Sequence, residues 1–172
     1  GIFRNMWKLI QGRVVYNTPL GWILPHFRGK SLTRLSFPEQ DLETALGSFP
    51  QGSLPQREIE LLARWLEAYF SQREEKLNLQ LEPEGTAFAQ GVWQATKKIP
   101  FGQTRSYSWV AQSMGRPKAV RAVGGALKRN PLPLVIPCHR VIYAQGGIGG
   151  YGGNLEKLLR IKEKLLSWEV SP

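Results

Sequence analysis

The sequence predicts an α+β fold: a small N-terminal α/β lobe with a short antiparallel sheet, then a mainly helical C-terminal domain that contains a helix-turn-helix. Three observations carry this expectation. Short β-prone runs flank a turn in the first fifty residues, apolar residues recur at helical spacing from Pro55 onward, and two short helical patterns are joined by Gly115-Arg116-Pro117. A chain of 172 residues holds one domain or two small lobes.

In chain order, Arg13 to Tyr16 and Gly21 to Leu24 are β-prone and separated by Asn17-Thr18-Pro19-Leu20, which predicts a hairpin. Ile59, Leu62, Leu66, Tyr69 and Phe70 share one helical face, and Pro55 stands near the start, where its missing N–H costs least. Leu77, Leu79 and Leu81 alternate with polar residues and predict a strand, and Glu82-Pro83-Glu84-Gly85 reads as a linker. The expected division is therefore 1–82 and 83–172. Thr86 is placed to cap a helix carrying Phe88, Val92 and Ile99, stopped by Pro100-Phe101-Gly102. Ser106 to Ser113 predicts a short helix; Gly115-Arg116-Pro117 is the turn, with Pro117 set for a helix start; Val120, Val123 and Leu127 mark the second helix. Ala119, Ala122, Gly124, Gly125 and Ala126 leave that helix a bare surface, suited to lying in a groove or against another helix.

Composition narrows the function classes. The longest apolar runs, such as Leu132 to Pro137, fall far short of the roughly 20 residues needed to cross a bilayer. No membrane partner is expected. The N-terminus lacks an apolar block with a small-residue cleavage site, so it does not read as a secretory signal and the cytoplasm is the expected address. A net charge of +10 favours polyanions, chiefly nucleic acid, and basic residues gather at 116–129 and from Lys157 to Lys164. One cysteine, Cys138, excludes an internal disulfide and a thiolate-rich zinc site, and only His26 and His139 supply imidazole. No metal and no cofactor are expected.

Asn130 to Val141 surrounds that cysteine with three prolines, which forbid a helix and stiffen the backbone. A nearby histidine or helix N-terminus lowers a thiol's pKa. Neighbours in a strand point to opposite faces, so a direct pair of Cys138 with His139 is not assumed, and a water or a backbone shift is the expected bridge.

Pro-Cys-His-Arg-Val, preceded by Asn-Pro-Leu-Pro and by Arg-Ala-Val-Gly-Gly-Ala, resembles the signature of the O6-alkylguanine-DNA alkyltransferases. The similarity runs from about Thr86 to Gly153 and includes Ile99 to Gly102, Ser106-Tyr107 and Gly149 to Gly153. It implies a single-turnover protein that moves an alkyl group from O6-alkylguanine, and also O4-alkylthymine, in double-stranded DNA to its own Cys138. It further implies a monomer that enters the minor groove and rotates the damaged base out of the stack. Arg121 resembles the arginine that fills the vacated position, and Tyr107 the tyrosine that donates a proton as guanine leaves. His139 would take the thiol proton through a water, a glutamate would steady the imidazolium, and Asn130 would fix the turn. The resemblance assigns DNA contacts to Arg121, Tyr107, Ser106, Ala119, Ala122, Gly124, Gly125, Lys128, Arg129 and Arg140. It assigns the alkylguanine pocket to Tyr107, Val141, Tyr151, Gly152 and Gly153.

One departure concerns the glutamate. Lys162 to Glu169 matches the family's final-helix pattern locally, but its distance from Tyr151 is about four residues longer than usual, close to one helical turn. Glu169 is the first choice and Glu163 the second. Two alternatives stand beside the transferase. A non-catalytic relative would bind alkylated DNA and recruit other repair factors, but such relatives replace the cysteine. A thiol hydrolase would need a base from elsewhere in the chain, and His26 lacks a supporting motif.

Overall fold

The computed structural model describes residues 6–37, 41–48, 52–144, 147, 149 and 156–170. It divides into two compact units, Gly1–Pro83 and Glu84–Pro172.

The first unit is an antiparallel meander in the order β1-β2-β3-β4: β1 (Trp7–Ile10), β2 (Arg13–Thr18), β3 (Gly21–Arg28) and β4 (Ser31–Ser36). The expected hairpin is β2–β3, with Thr18 opposite Gly21. Residues 13 to 16 are all buried, which marks a strand covered on both faces. Val15 packs with Leu24, Ala45 and Leu46, bringing helix α1 (Leu42–Ser48) onto one face. Its neighbour Tyr16 points the other way and donates its hydroxyl to Ile59 O at 2.8 Å, in helix α2 (Gln56–Phe70). Pro55 stands immediately before α2, as its missing N–H favours.

The strand expected at Leu77 to Leu81 does not form. Only Leu81 bridges Leu32, through Leu32 N to Gln80 O and Glu82 N to Leu32 O, both 2.9 Å. Two bonds around one β4 residue do not make a ladder, so the alternation of leucines there reflects half-buried side chains along an irregular segment.

The second unit contains α3 (Ala87–Thr96), β5 (Arg105–Ser106), α4 (Tyr107–Ser113), α5 (Val120–Lys128), a 3-10 turn (Cys138–Arg140), β6 (Val141–Ile142) and α6 (Glu156–Val170). Thr86 caps α3 by accepting from Ala89 N at 3.1 Å, and Ser106 caps α4 by accepting from Trp109 N at 2.9 Å. Helix α4 ends in a Schellman motif: Gly115 N bonds Gln112 O, Arg116 N bonds Ala111 O, and Gly115 holds φ +70°. The chain thereby reverses into α5, completing a helix-turn-helix whose inner face is Val110, Ala111, Val123 and Ala126, all fully buried.

Two local expectations are corrected. Helix α5 begins at Val120, not at Pro117, because a turn closed by Ala119 N to Arg116 O intervenes. Ala126 is a core residue, lying where the Trp93 indole N–H donates to its carbonyl at 3.0 Å, so part of the small-residue stripe serves helix packing.

Candidate active site

The proline-rich segment after α5 is organised by one side chain. Asn130 Oδ1 accepts from Leu132 N at 2.9 Å, while its Nδ2 donates to Ile136 O at 2.9 Å and to Cys138 Sγ at 3.2 Å. The same amide thus closes the turn and touches the thiol. Leu134, inside that turn, is held at φ +75°, a left-handed conformation that a leucine adopts only where its surroundings impose it.

Cys138 opens a 3-10 turn and is not in a strand, so the strand-based argument about its neighbour does not apply. It is 6% exposed, and burial pushes its thiol up to about 11 against the opposing effects of the Asn130 bond and the Lys162 charge. This corrects the expectation of a lowered pKa: the resting thiol is protonated at neutral pH, and its proton must be removed during reaction.

His139 is fully buried and its Nε2 lies 2.5 Å from Glu169 Oε2, in the last turn of α6. Arg140 Nε donates to Glu169 Oε1 at 2.7 Å, Arg140 Nη1 donates to Ile99 O at 2.8 Å, and the guanidinium lies over the Phe101 ring. Gly102 N also donates to Glu169 Oε1 at 3.4 Å, and a Cβ at Gly102 would lie 3.3 Å from Glu169 O on a φ of +80°. Burial pushes the Glu169 carboxyl up, but the His139 and Arg140 bonds overcome it and hold it at about 2. Burial, helped by the Arg140 and Lys162 charges, keeps His139 below its ordinary pKa despite Glu169, so the imidazole is neutral at rest. An ionised carboxylate only accepts, so Nε2 carries the imidazole proton. The lone pair is then on Nδ1, a buried atom with no protein partner among the described residues.

Lys162, read in the sequence as part of a basic stretch and as the first residue of the final-helix pattern but given no role, is fully buried. Its Nζ donates to Val141 O at 2.7 Å and lies 5.9 Å from the centroid of the Tyr107 ring. Burial lowers it to about 8, opposed by its interaction with Cys138. Periodicity held the signal: Leu158, Lys162, Leu165 and Glu169 fall on one face of α6 and all are buried.

The other expected residues fall into three groups. Asn130, Cys138, His139 and Glu169 come together, whereas Glu163 is exposed. Arg121, Ala122, Lys128 and Arg129 are exposed on or just after α5, with Ala119, Gly124 and Gly125 half-buried and Ser106 at the start of α4. A Cβ at Gly124 would meet Tyr107 only at 3.9 Å, an ordinary contact, and one at Gly125 would meet the movable end of Arg129 at 3.3 Å, so packing within the protein does not itself demand glycine at either position. Arg140 departs from the expected DNA contact: it is buried, with its guanidinium bonded to Glu169 and to Ile99 O and little of it left exposed. Val141 is buried with its carbonyl taken by Lys162. Tyr151, Gly152 and Gly153 lie outside the described residues. Charge is divided unevenly: Glu84–Pro172 carries 13 of the 23 Lys and Arg but only four of the 13 acidic residues, so the positive field belongs to the unit with the helix-turn-helix.

Comparison with known proteins identifies the family. Residues 87–171 match the family model of the 6-O-methylguanine DNA methyltransferase DNA binding domain, and residues 13–83 match that of the 6-O-methylguanine DNA methyltransferase ribonuclease-like domain. A methylated-DNA–protein-cysteine methyltransferase of Mycobacterium leprae is 38% identical over 148 residues, 86% of this chain and 87% of that protein. One from Methanosarcina barkeri is 51% identical over 107 residues, covering 62% of this chain and 65% of that protein. Among solved structures, that of Mycobacterium tuberculosis OGT in complex with DNA superposes with a TM-score of 0.76 at 35% identity, covering 91% of each chain. An O6-methylguanine DNA methyltransferase from Methanococcus jannaschii gives 0.64 at 30% identity, over 97% of this chain and 94% of that one. With both units matched by models of one family, the chain belongs to the 6-O-methylguanine DNA methyltransferases.

Proposed function

We propose that this protein repairs DNA by transferring the alkyl group of O6-alkylguanine, and of O4-alkylthymine, to Cys138, once per chain. The observation that carries the reading is the Glu169–His139 pair, which leaves a basic Nδ1 in the same 3-10 turn as a buried, protonated thiol. His139 Nδ1 takes the thiol proton through a water, and Glu169 steadies the imidazolium. Lys162 favours the thiolate by its charge, and Asn130 aligns the sulfur. The sulfur attacks the alkyl carbon, the S–C bond forms as the C–O6 bond breaks, and the guanine leaves with a proton from the Tyr107 hydroxyl. A thioether has no carbonyl for water to attack, so the bond persists and each chain acts once. No cofactor takes part.

The partner is double-stranded DNA, approached through the minor groove by α5, with Lys128 and Arg129 on phosphates and Arg121 in the gap left by the displaced base. The 83–172 region carries the chemistry and the 1–82 lobe supports it. The protein works as a monomer in the cytoplasm.

Incubation with duplex DNA containing O6-methylguanine, followed by mass measurement of the intact protein, tests the reading. The expected result is a gain of one methylene mass per chain, lodged on Cys138. Tight binding without a mass change would favour a relative that recruits other repair factors, and release of product over many turnovers a hydrolase. Arg121→Ala is expected to slow repair in duplex DNA by about tenfold or more, the order of a few kcal/mol set by unstacking a base, while leaving reaction with a free alkylguanine base within about twofold. Equal losses on both substrates would remove Arg121 from that role.

A further inference from the structure

Ser106 pairs with Ile142 in the short parallel sheet of β5 and β6, so the residues that follow the two strands, Tyr107 and Tyr143, emerge beside each other. Their ring centroids are 5.5 Å apart at 39°. Tyr107 is enclosed: the Lys162 ammonium is near its ring, and a Cβ at Gly149 would come within 2.5 Å of its hydroxyl oxygen, which shows how closely the backbone passes there. Tyr143 differs. It is 54% exposed, the one aromatic among the large exposed apolar side chains of the described residues.

Tyr143 is also anchored. Its N–H donates to Gly147 O at 2.7 Å, and a Cβ at Gly147 would lie 2.9 Å from the ring, so the ring lies against a backbone position that only glycine lets approach so near. A ring anchored through its own backbone and still more than half exposed loses little conformational freedom on binding, and any nucleobase offers it a face to stack on.

We propose that Tyr143 is a specificity-determining residue for the transfer reaction: its exposed ring stacks on the displaced purine beside Tyr107. The proposal rests on the alkyl-transfer reading. It assigns to Tyr143 the holding of the purine itself, and to Tyr107 the proton at its reacting end.

The test uses the full chain and three reactants: duplex DNA with O6-methylguanine, free O6-benzylguanine, whose benzylic carbon is the more reactive electrophile, and iodoacetamide, a thiol reagent with no purine. Tyr143→Ala is expected to lower the second-order rate constant for both alkylguanines by about tenfold, the order set by loss of one base–aromatic stack. Tyr143→Phe keeps the ring and stays within about twofold of the parent. Iodoacetamide should react with all three proteins alike. The proposal is overturned if Tyr143→Ala matches the parent on both alkylguanines, if it loses rate on duplex alone, or if its iodoacetamide rate falls in parallel. A parent protein that accepts no alkyl group overturns the transfer reading as well; a reactive parent with an equally reactive Ala variant overturns only the role of Tyr143.

Discussion

Cys138→Ser is expected to yield a protein that still binds alkylated duplex DNA, within about twofold of the parent, and transfers nothing, a loss of at least about a thousandfold in rate. The substitution replaces sulfur by oxygen in a buried site of nearly the same volume, and a hydroxyl still accepts from Asn130 Nδ2. Folding and DNA binding therefore survive. Nucleophilicity does not, because a serine hydroxyl is far harder to deprotonate than a thiol and the only base provided is an imidazole whose pKa lies below the ordinary value. Single-turnover mass measurement alongside a binding titration separates the two effects. Alkyl transfer by the serine variant would show that another side chain is the acceptor.

Glu169 is the second position of large effect, and the effect is on both stability and rate. Among the described residues it is the one carboxylate hydrogen-bonded to His139 and Arg140, and both partners are buried. Removing one member of such a network leaves an uncompensated charge on Arg140, so Glu169→Ala is expected to destabilise the protein by about 3–5 kcal/mol. Glu169→Gln keeps the shape and isolates the charge. The carboxyl is held at about 2 when folded against an ordinary 4.5, so its contribution to stability is present above pH 4.5 and lost as pH falls towards 2. His139 acts in the same sense from higher pH, since its depressed folded pKa makes stability fall as pH drops below 6.5. Urea unfolding at a series of pH values should show a shallower acid limb in Glu169→Gln between pH 4.5 and 2. An unchanged limb would mean that this carboxylate does not govern acid unfolding. Transfer should also slow, since the imidazolium formed during reaction loses its counter-charge.

Local rules carried the sequence reading where neighbours in the chain decide the outcome. Thr86 and Ser106 cap helices because a hydroxyl at that position reaches a free N–H three residues on, and Gly115 ends α4 because the left-handed conformation suits it. The proline-flanked Cys138 was legible as a motif, and Asn130 as the residue that fixes its turn; the bond from Asn130 to the sulfur itself came from the structure. What stayed hidden depends on contacts far along the chain. Arg140 and Lys162 look like any basic residues until a carboxylate 29 residues away and a carbonyl 21 residues away take them into the interior. The raised pKa of Cys138 is likewise a product of burial, which the identity of its neighbours does not disclose. Helix α1 is only seven residues long, too short for its periodicity to stand out.

The dependence of the site on α6 has a consequence for the life of the chain. During synthesis Cys138 is made before Lys162 and Glu169, so a nascent polypeptide carries an ordinary thiol, with a pKa of about 8.5 and open to oxidants. Docking of the last helix withdraws it from that chemistry. The sheltered state of the sulfur is thus a property of the finished domain, complete only when the C-terminal helix has brought Lys162 and Glu169 to the 3-10 turn.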